Sequence, residues 1–195
     1  MKFTEVVERK SNESARVQKA FFAAQGDAVV SCSEAMARKF DAGGHLWVMG
    51  NGGSACDAQH MAVEFMHPVL QKRRELPATV LGLEPAFTSA VGNDDDFSVA
   101  YAKQLRVLAK SGDIAVGIST SGQSRNVVRA LRAARELGLM TVGLTGRDGG
   151  RMAELCDHLF RVESFSIHRI QETHTLLFHV LWDLIHVMCG EEDVL

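Results

Sequence analysis

Hydrophobic positions along the chain follow two rhythms. Through the first forty residues they recur at helical spacing: Val6, Val7, Val17, Phe21 and Phe22, then Ala28, Val29, Val30, Ala35 and Phe40. Two helices broken near Gly26 and ended by Gly43-Gly44 fit that spacing. Beyond them, short apolar runs alternate with helical segments. The runs 46–49, 78–83, 114–118, 140–144 and 158–162 read as strands. Segments near 54–66, 86–109, 124–137 and 150–155 read as helices, and a long helix over 168–189 closes the chain. Such alternation predicts a parallel sheet covered by helices on both faces. Ligands of such sheets bind beyond the carboxyl ends of the strands, so the loops that follow strands are where chemistry is sought.

Length and composition narrow the class. At 195 residues the chain is read as one domain, with N-terminal helices over 1–43 and an α/β core over 44–195. With 46% hydrophobic and 23% charged residues it resembles an ordinary globular protein. A net charge of -3 leaves no electrostatic footprint for nucleic acid. The only dense basic run, Lys72-Arg73-Arg74, reads as a solvated loop. No apolar signal segment opens the chain. The stretch TLLFHVLWDLIHVM is interrupted by His179, Asp183 and His186 and does not read as a membrane span. Four cysteines without a CxxC pair point to a reduced, cytoplasmic protein, and Cys56 reads as buried and inert. The final helix carries Leu176, Leu177, Phe178, Val180, Leu181, Trp182, Leu184, Ile185 and Val187. It is apolar nearly all round, more than one sheet face can cover, which predicts self-association.

Two of the loops carry the main chemical signal. Gly50-Asn51-Gly52-Gly53-Ser54-Ala55 fits the G-x-G-x-x-A dinucleotide pattern, but no acidic residue closes a second strand about twenty positions on. The other readings are a turn whose bare backbone approaches a sugar or phosphate, or a purely structural turn. After the third strand, Ser119-Thr120-Ser121-Gly122-Gln123-Ser124 puts four hydroxyls at a helix start. One hydroxyl would cap the helix; four favour an anion, read as phosphate. No Gly-Lys-Ser/Thr follows, so this is no magnesium-nucleotide loop. The run from Thr145 to Gly150 reads as structural. Asn93-Asp94 could bond sugar hydroxyls or form an Asx turn. His60 and Glu64 are four apart, so they share a helix face. Gln171 and His179, eight apart, share a side of the last helix, where His174 and His186 are rival choices. Together they could supply zinc donors, although Gln is an uncommon one.

In order along the whole chain, GNGGSACDAQHMAVEF, AVGND, GDIAVGISTSGQSRNV, TGRDGGRMAELCD and RIQETHTLLFH resemble the sugar isomerase (SIS) domain. They resemble in particular its phosphoheptose isomerase family. The resemblance implies a single SIS domain: a flavodoxin-like three-layer sandwich, its five-stranded parallel sheet flanked by helices, with extra N-terminal helices. It implies an enzyme converting D-sedoheptulose 7-phosphate to D-glycero-D-manno-heptose 7-phosphate through an enediol, in heptose synthesis for lipopolysaccharide. Carried over by position, Ser119, Thr120, Ser121 and Ser124 hold the phosphate. Asn51, Gly52, Gly53, Glu64, Asn93, Asp94 and Gln171 contact the substrate. Glu64 and His179 are the acid–base pair. His60, Glu64, Gln171 and His179 are ligands of one Zn2+ per subunit. A homotetramer with sites between subunits is implied as well.

Two positions depart from the family pattern. Pro68 stands where the family has Arg, and Glu84-Pro85-Ala86 where it has Asp and then Ser or Thr. Lys72 to Arg74 are candidates to replace the lost arginine. The competing class is non-catalytic: a relative that binds a bacterial replication initiator and lacks the glutamate, or a sugar-phosphate sensor. Glu64 favours the enzyme.

Overall fold

Three apolar runs of five to seven residues, buried on both faces, form the central strands, and two less buried runs pair at the edges, all in parallel. The computed structural model describes residues 2–69 and 73–193. Strands β1 (Leu46–Gly50), β2 (Ala78–Val80), β3 (Ile114–Ser119), β4 (Met140–Gly146) and β5 (His158–Val162) form one sheet in the order β2-β1-β3-β4-β5. Leu46 sits opposite both Ala78 and Ile114, and Gly50 opposite Ile118. The order reverses between β1 and β3, so the loops after those two strands diverge around a crevice at the carboxyl edge. This is the α/β architecture that the alternating pattern predicts.

Helices α1 (Phe3–Asp41), α2 (Gly53–Met66) and α6 (Ile167–Met188) cover one face. Helices α4 (Ala100–Leu108) and α5 (Arg125–Glu136) cover the other, with α3 (Pro85–Asp94) beside α4. Strand residues divide with period two. Leu46 and Val48 join the core under α1, α2 and α6, whereas Trp47 and Met49 join the core under α4 and α5.

Several local expectations are corrected. The N-terminal region is one 39-residue helix, not two broken near Gly26. A glycine inside a helix costs only about 1 kcal/mol, and packing outweighs it. Phe21, Val29, Met36 and Phe40 are buried in one cluster with Leu177, Phe178, Leu181 and Ile185. Beside Gly26, the Gln25 amide donates to the Arg161 carbonyl and accepts from the Arg161 N–H, pinning α1 to edge strand β5. The same packing covers much of the apolar surface of α6 within the chain.

The segment 86–109 is two helices rather than one. It breaks after Asp94, where extended Asp96 accepts from Ser98 N at 2.6 Å and caps a short turn, Phe97–Val99. Strand β2 stops at Val80, and Gly150–Glu154 is a 3-10 turn. Cys56 is exposed, not buried. Within the basic run the expectation of a solvated loop fails at Arg73 and holds at exposed Arg74. Lys72 lies outside the described residues, Arg73 is buried against Asp183, and Arg74 pairs with Asp41 and Glu191. Among the described residues no helix is long and apolar enough to cross a membrane.

Helix α6 is keyed to the sheet by His174, which is fully buried and bonds the Thr145 carbonyl at 3.0 Å. Burial pushes its pKa down to about 4, with the Thr145 bond opposing only in part. The folded chain therefore keeps this imidazole neutral, whereas the unfolded chain protonates it below about 6.5. Its linkage with folding is neutral above that value and costs stability as pH falls from 6.5 toward 4. Over the whole window the loss is about 3 kcal/mol. Urea unfolding at pH 7.5, 6 and 5 should show this decline, and His174→Gln should flatten part of it. An unchanged slope in the variant would assign the decline to other groups.

Candidate active site

The glycine turn after β1 is shaped by close approach. A Cβ on Gly50 would lie 2.3 Å from the Ser54 carbonyl oxygen, and Gly52 has φ +55. Neither position accepts an ordinary side chain without strain. A Cβ on Gly53 would meet the Gln171 amide nitrogen at 2.4 Å, so bare backbone lets α6 close on the start of α2. Asn51 turns inward. Its amide donates to Asn126 Oδ1 at 2.9 Å and accepts from Asn126 Nδ2 at 2.8 Å. The Tyr101 hydroxyl donates to the Gly50 carbonyl at 2.5 Å. With the Asn51 amide thus engaged, the turn presents mainly the backbone of Gly52 and Gly53.

The serine loop faces this turn across the crevice. The Ser119 and Ser124 hydroxyls bond each other at 2.9 Å, and Ser121 Oγ accepts from Gln123 N at 3.2 Å. Ser124 occupies the N-cap position of α5 but makes no side-chain cap bond. The hydroxyls are therefore not spent on capping, and the positive helix end remains suited to an anion. Thr120 and Ser121 are half-buried. The loop leans on the turn after β4. A Cβ on Gly122 would lie 2.0 Å from the Gly149 carbonyl oxygen, which agrees with a structural role for the Thr145–Gly150 run. Asn93 and Asp94 bond each other at the exposed end of α3.

The third component lies along the seam between α2 and α6. His60 Nε2 is 3.2 Å from Glu64 Oε1 and 3.3 Å from His179 Nε2. Ligand atoms of these three residues all lie within 4.8 Å of one another. A tetrahedral zinc site with bonds of about 2.05 Å has edges of about 3.3 Å, so the spacing suits a divalent metal. Burial, then the neighbouring His60, lowers the His179 pKa, while Glu64 opposes. The neutral ring keeps a lone pair for a metal or a proton. His174 and His186 are excluded from this cluster: the first bonds Thr145, and the second is buried against Glu191 at 2.9 Å. Gln171 lies roughly 12 Å of helix rise from His179, with its amide against Gly53.

Three residues that the sequence reading missed belong to this region. Asn126 and Tyr101 hold the glycine turn to α5 and α4. Asp57, three residues before His60 on the same helix face, has its pKa raised to about 6 by burial, with His60 opposing. Its Oδ2 has no hydrogen-bond partner among the described residues. Helical spacing alone could have flagged Asp57; nothing local marks Asn126.

Residues 11–146 match the SIS domain family. The phosphoheptose isomerase of Thermodesulfovibrio yellowstonii is 38% identical over 195 residues, covering 100% of this chain and 94% of that protein. The phosphoheptose isomerase of Nitratidesulfovibrio vulgaris strain Hildenborough is 46% identical over 172 residues, with 88% and 83% coverage. Among solved structures, phosphoheptose isomerase from Neisseria gonorrhoeae matches at 38% identity and TM-score 0.87, over 94% of this chain and 98% of that one. The Francisella tularensis phosphoheptose isomerase matches at 33% and 0.90, over 96% and 100%. The matches span nearly the whole length, and the chain belongs to the phosphoheptose isomerase family of SIS-domain proteins.

Proposed function

We propose that this protein interconverts D-sedoheptulose 7-phosphate and D-glycero-D-manno-heptose 7-phosphate. The relatives named above support that activity, and one observation in this chain carries it: the Glu64 carboxylate converges with two imidazoles on the α2–α6 seam. The non-catalytic alternatives are disfavoured, because the glutamate is present and in place.

The serine loop holds the phosphate through hydroxyls and the N-terminus of α5. Gly52 and Gly53 let the sugar chain approach the backbone. Moving a carbonyl by one carbon requires removal of a proton from the neighbouring carbon and its return to the former carbonyl carbon. A second proton passes between the two oxygens, through an enediol. Oε1 of Glu64 faces His60, which leaves Oε2 for the carbon-bound proton. His179, held neutral, has one donor and one acceptor nitrogen; with the acceptor free it can move the oxygen-bound proton without a net change in charge, and with that nitrogen on a metal the other can still donate. His60, Glu64 and His179 would hold a zinc ion, which when bound supplies a Lewis acid for the carbonyl oxygen; the fourth donor implied by the family, Gln171, has its amide against Gly53 in this chain. A place in cytoplasmic heptose synthesis for lipopolysaccharide belongs to the same proposal.

Glu64→Gln keeps the shape and removes the basicity. It should bind substrate yet exchange substrate carbon-bound hydrogen with deuterated water at least ~100-fold more slowly than wild type. Equal exchange rates would show that another group is the base. Zinc should copurify with the untagged protein by elemental analysis and be lost in His60→Ala; equal retention would move the metal elsewhere. We also infer a homotetramer, supported by the family and by exposed Phe3, Val7 and Val30 on α1. Light scattering should give four times the 21.3 kDa chain mass, and a single-chain mass would refute it.

A further inference from the structure

Helix α2 ends two residues after Glu64. Pro68 restricts the residue before it to extended conformations, and His67 has φ -139 and ψ 72. The last carbonyls of a helix then need donors from outside. Val63 O keeps the last bond of the helix itself, from His67 N at 2.8 Å, whereas Phe65 O receives Leu76 N from outside at 2.8 Å. Glu64 O receives the indole N–H of Trp182 at 2.9 Å. Trp182 stands one turn after His179 on α6. A single side chain therefore ties the backbone of the carboxylate residue to the helix that carries the opposing imidazole.

The indole is itself held in place. Trp182 is 7% exposed, and the Arg73 guanidinium lies over its ring, Cζ 4.5 Å from the centroid. Arg73 has a side chain only 3% exposed and pairs with Asp183 at 2.5 Å, the next residue of α6. Its Nε and Nη1 have no hydrogen-bond partner among the described residues. Stacking on the indole thus offsets part of the cost of burying the guanidinium. Pro68 ends α2, and Arg73 lies beneath the seam.

We propose that Trp182, backed by Arg73, is a positioning residue for Glu64, fixing the register of α2 against α6 where the carboxylate meets His60 and His179. The proposal rests on the reading of Glu64 as a working part of the site. Residues that orient a metal ligand without touching the metal typically change affinity or activity by about 10- to 100-fold when altered.

Trp182→Phe keeps an aromatic ring for Arg73 and removes the N–H together with the five-membered ring that carries it. Its kcat should fall about tenfold while KM stays within about twofold, since the phosphate loop lies on β3 and α5. Zinc affinity, measured by competition with a chromophoric chelator, should fall by about the same factor. In a Glu64→Gln background, Trp182→Phe should slow residual turnover no further, because the tryptophan acts through the carboxylate. A helix cap with no other role would instead slow both backgrounds equally, and that result overturns the proposal. Wild-type kcat and zinc affinity in Trp182→Phe overturn it as well. If Trp182→Phe does not fold, Arg73→Lys decides. That variant keeps the ion pair with Asp183, loses the planar stack, and should shift kcat and zinc affinity in the same direction. A wild type that binds zinc but exchanges no substrate hydrogen sinks the isomerase reading alone, and the chelator measurement still judges the positioning role. A wild type with neither property overturns both.

Discussion

Parallel, in-register pairing of β1 with β3 is the constraint on which the rest of the molecule depends. With Leu46 against Ile114 and Gly50 against Ile118, the two strands end side by side at one edge. Their following helices must leave toward opposite faces, α2 to one and α5 to the other. The crevice between the departing loops is a consequence of chain direction. The reciprocal Asn51–Asn126 amide pair spans it, and the Tyr101 hydroxyl braces Gly50 from α4. A buried amide leaves few polar groups unmatched when both of its ends are bonded in this way, so the turn and the serine loop are held as a unit.

From that edge α2 descends along α6, and contacts of three kinds hold the seam. At the top, bare Gly53 admits the Gln171 amide. In the middle, His60 and Glu64 face His179. At the bottom, Trp182 bonds the Glu64 carbonyl. The long α1 packs against α6 and shares its core cluster through Phe21, Met36 and Phe40, which stiffens the helix that carries His179. Stiffness matters because donors for a metal, or for a proton in flight, must keep their spacing to a fraction of an ångström.

Environment assigns the histidines of α6 different roles. His174 is fully buried, bonded to a strand carbonyl, and serves packing. His186 is buried beside Trp182 and bonded to Glu191. Only His179 lies half-buried on the seam, opposite His60. One residue type on one helix thus separates into structural and chemical positions according to what each ring faces.

Local chemistry made much of this protein legible in the sequence alone. Strand runs, the glycine turn, the hydroxyl-rich helix start and the His60–Glu64 spacing all depend on neighbours within a few residues, through periodicity, backbone freedom and helix geometry. Tertiary structure decided what depends on distant partners. Gly26 stays helical because α6 and β5 hold α1 on either side of it. Arg73 is buried because Asp183 and Trp182, over a hundred positions away, receive it. Asn51 reaches for Asn126 across 75 residues, and His60 for His179 across 119. Spacing along one helix left His174, His179 and His186 as equivalent choices. The resemblance favoured His179, and the packing of α2 against α6 gives the physical reason, because the choice is made by which ring a second helix meets.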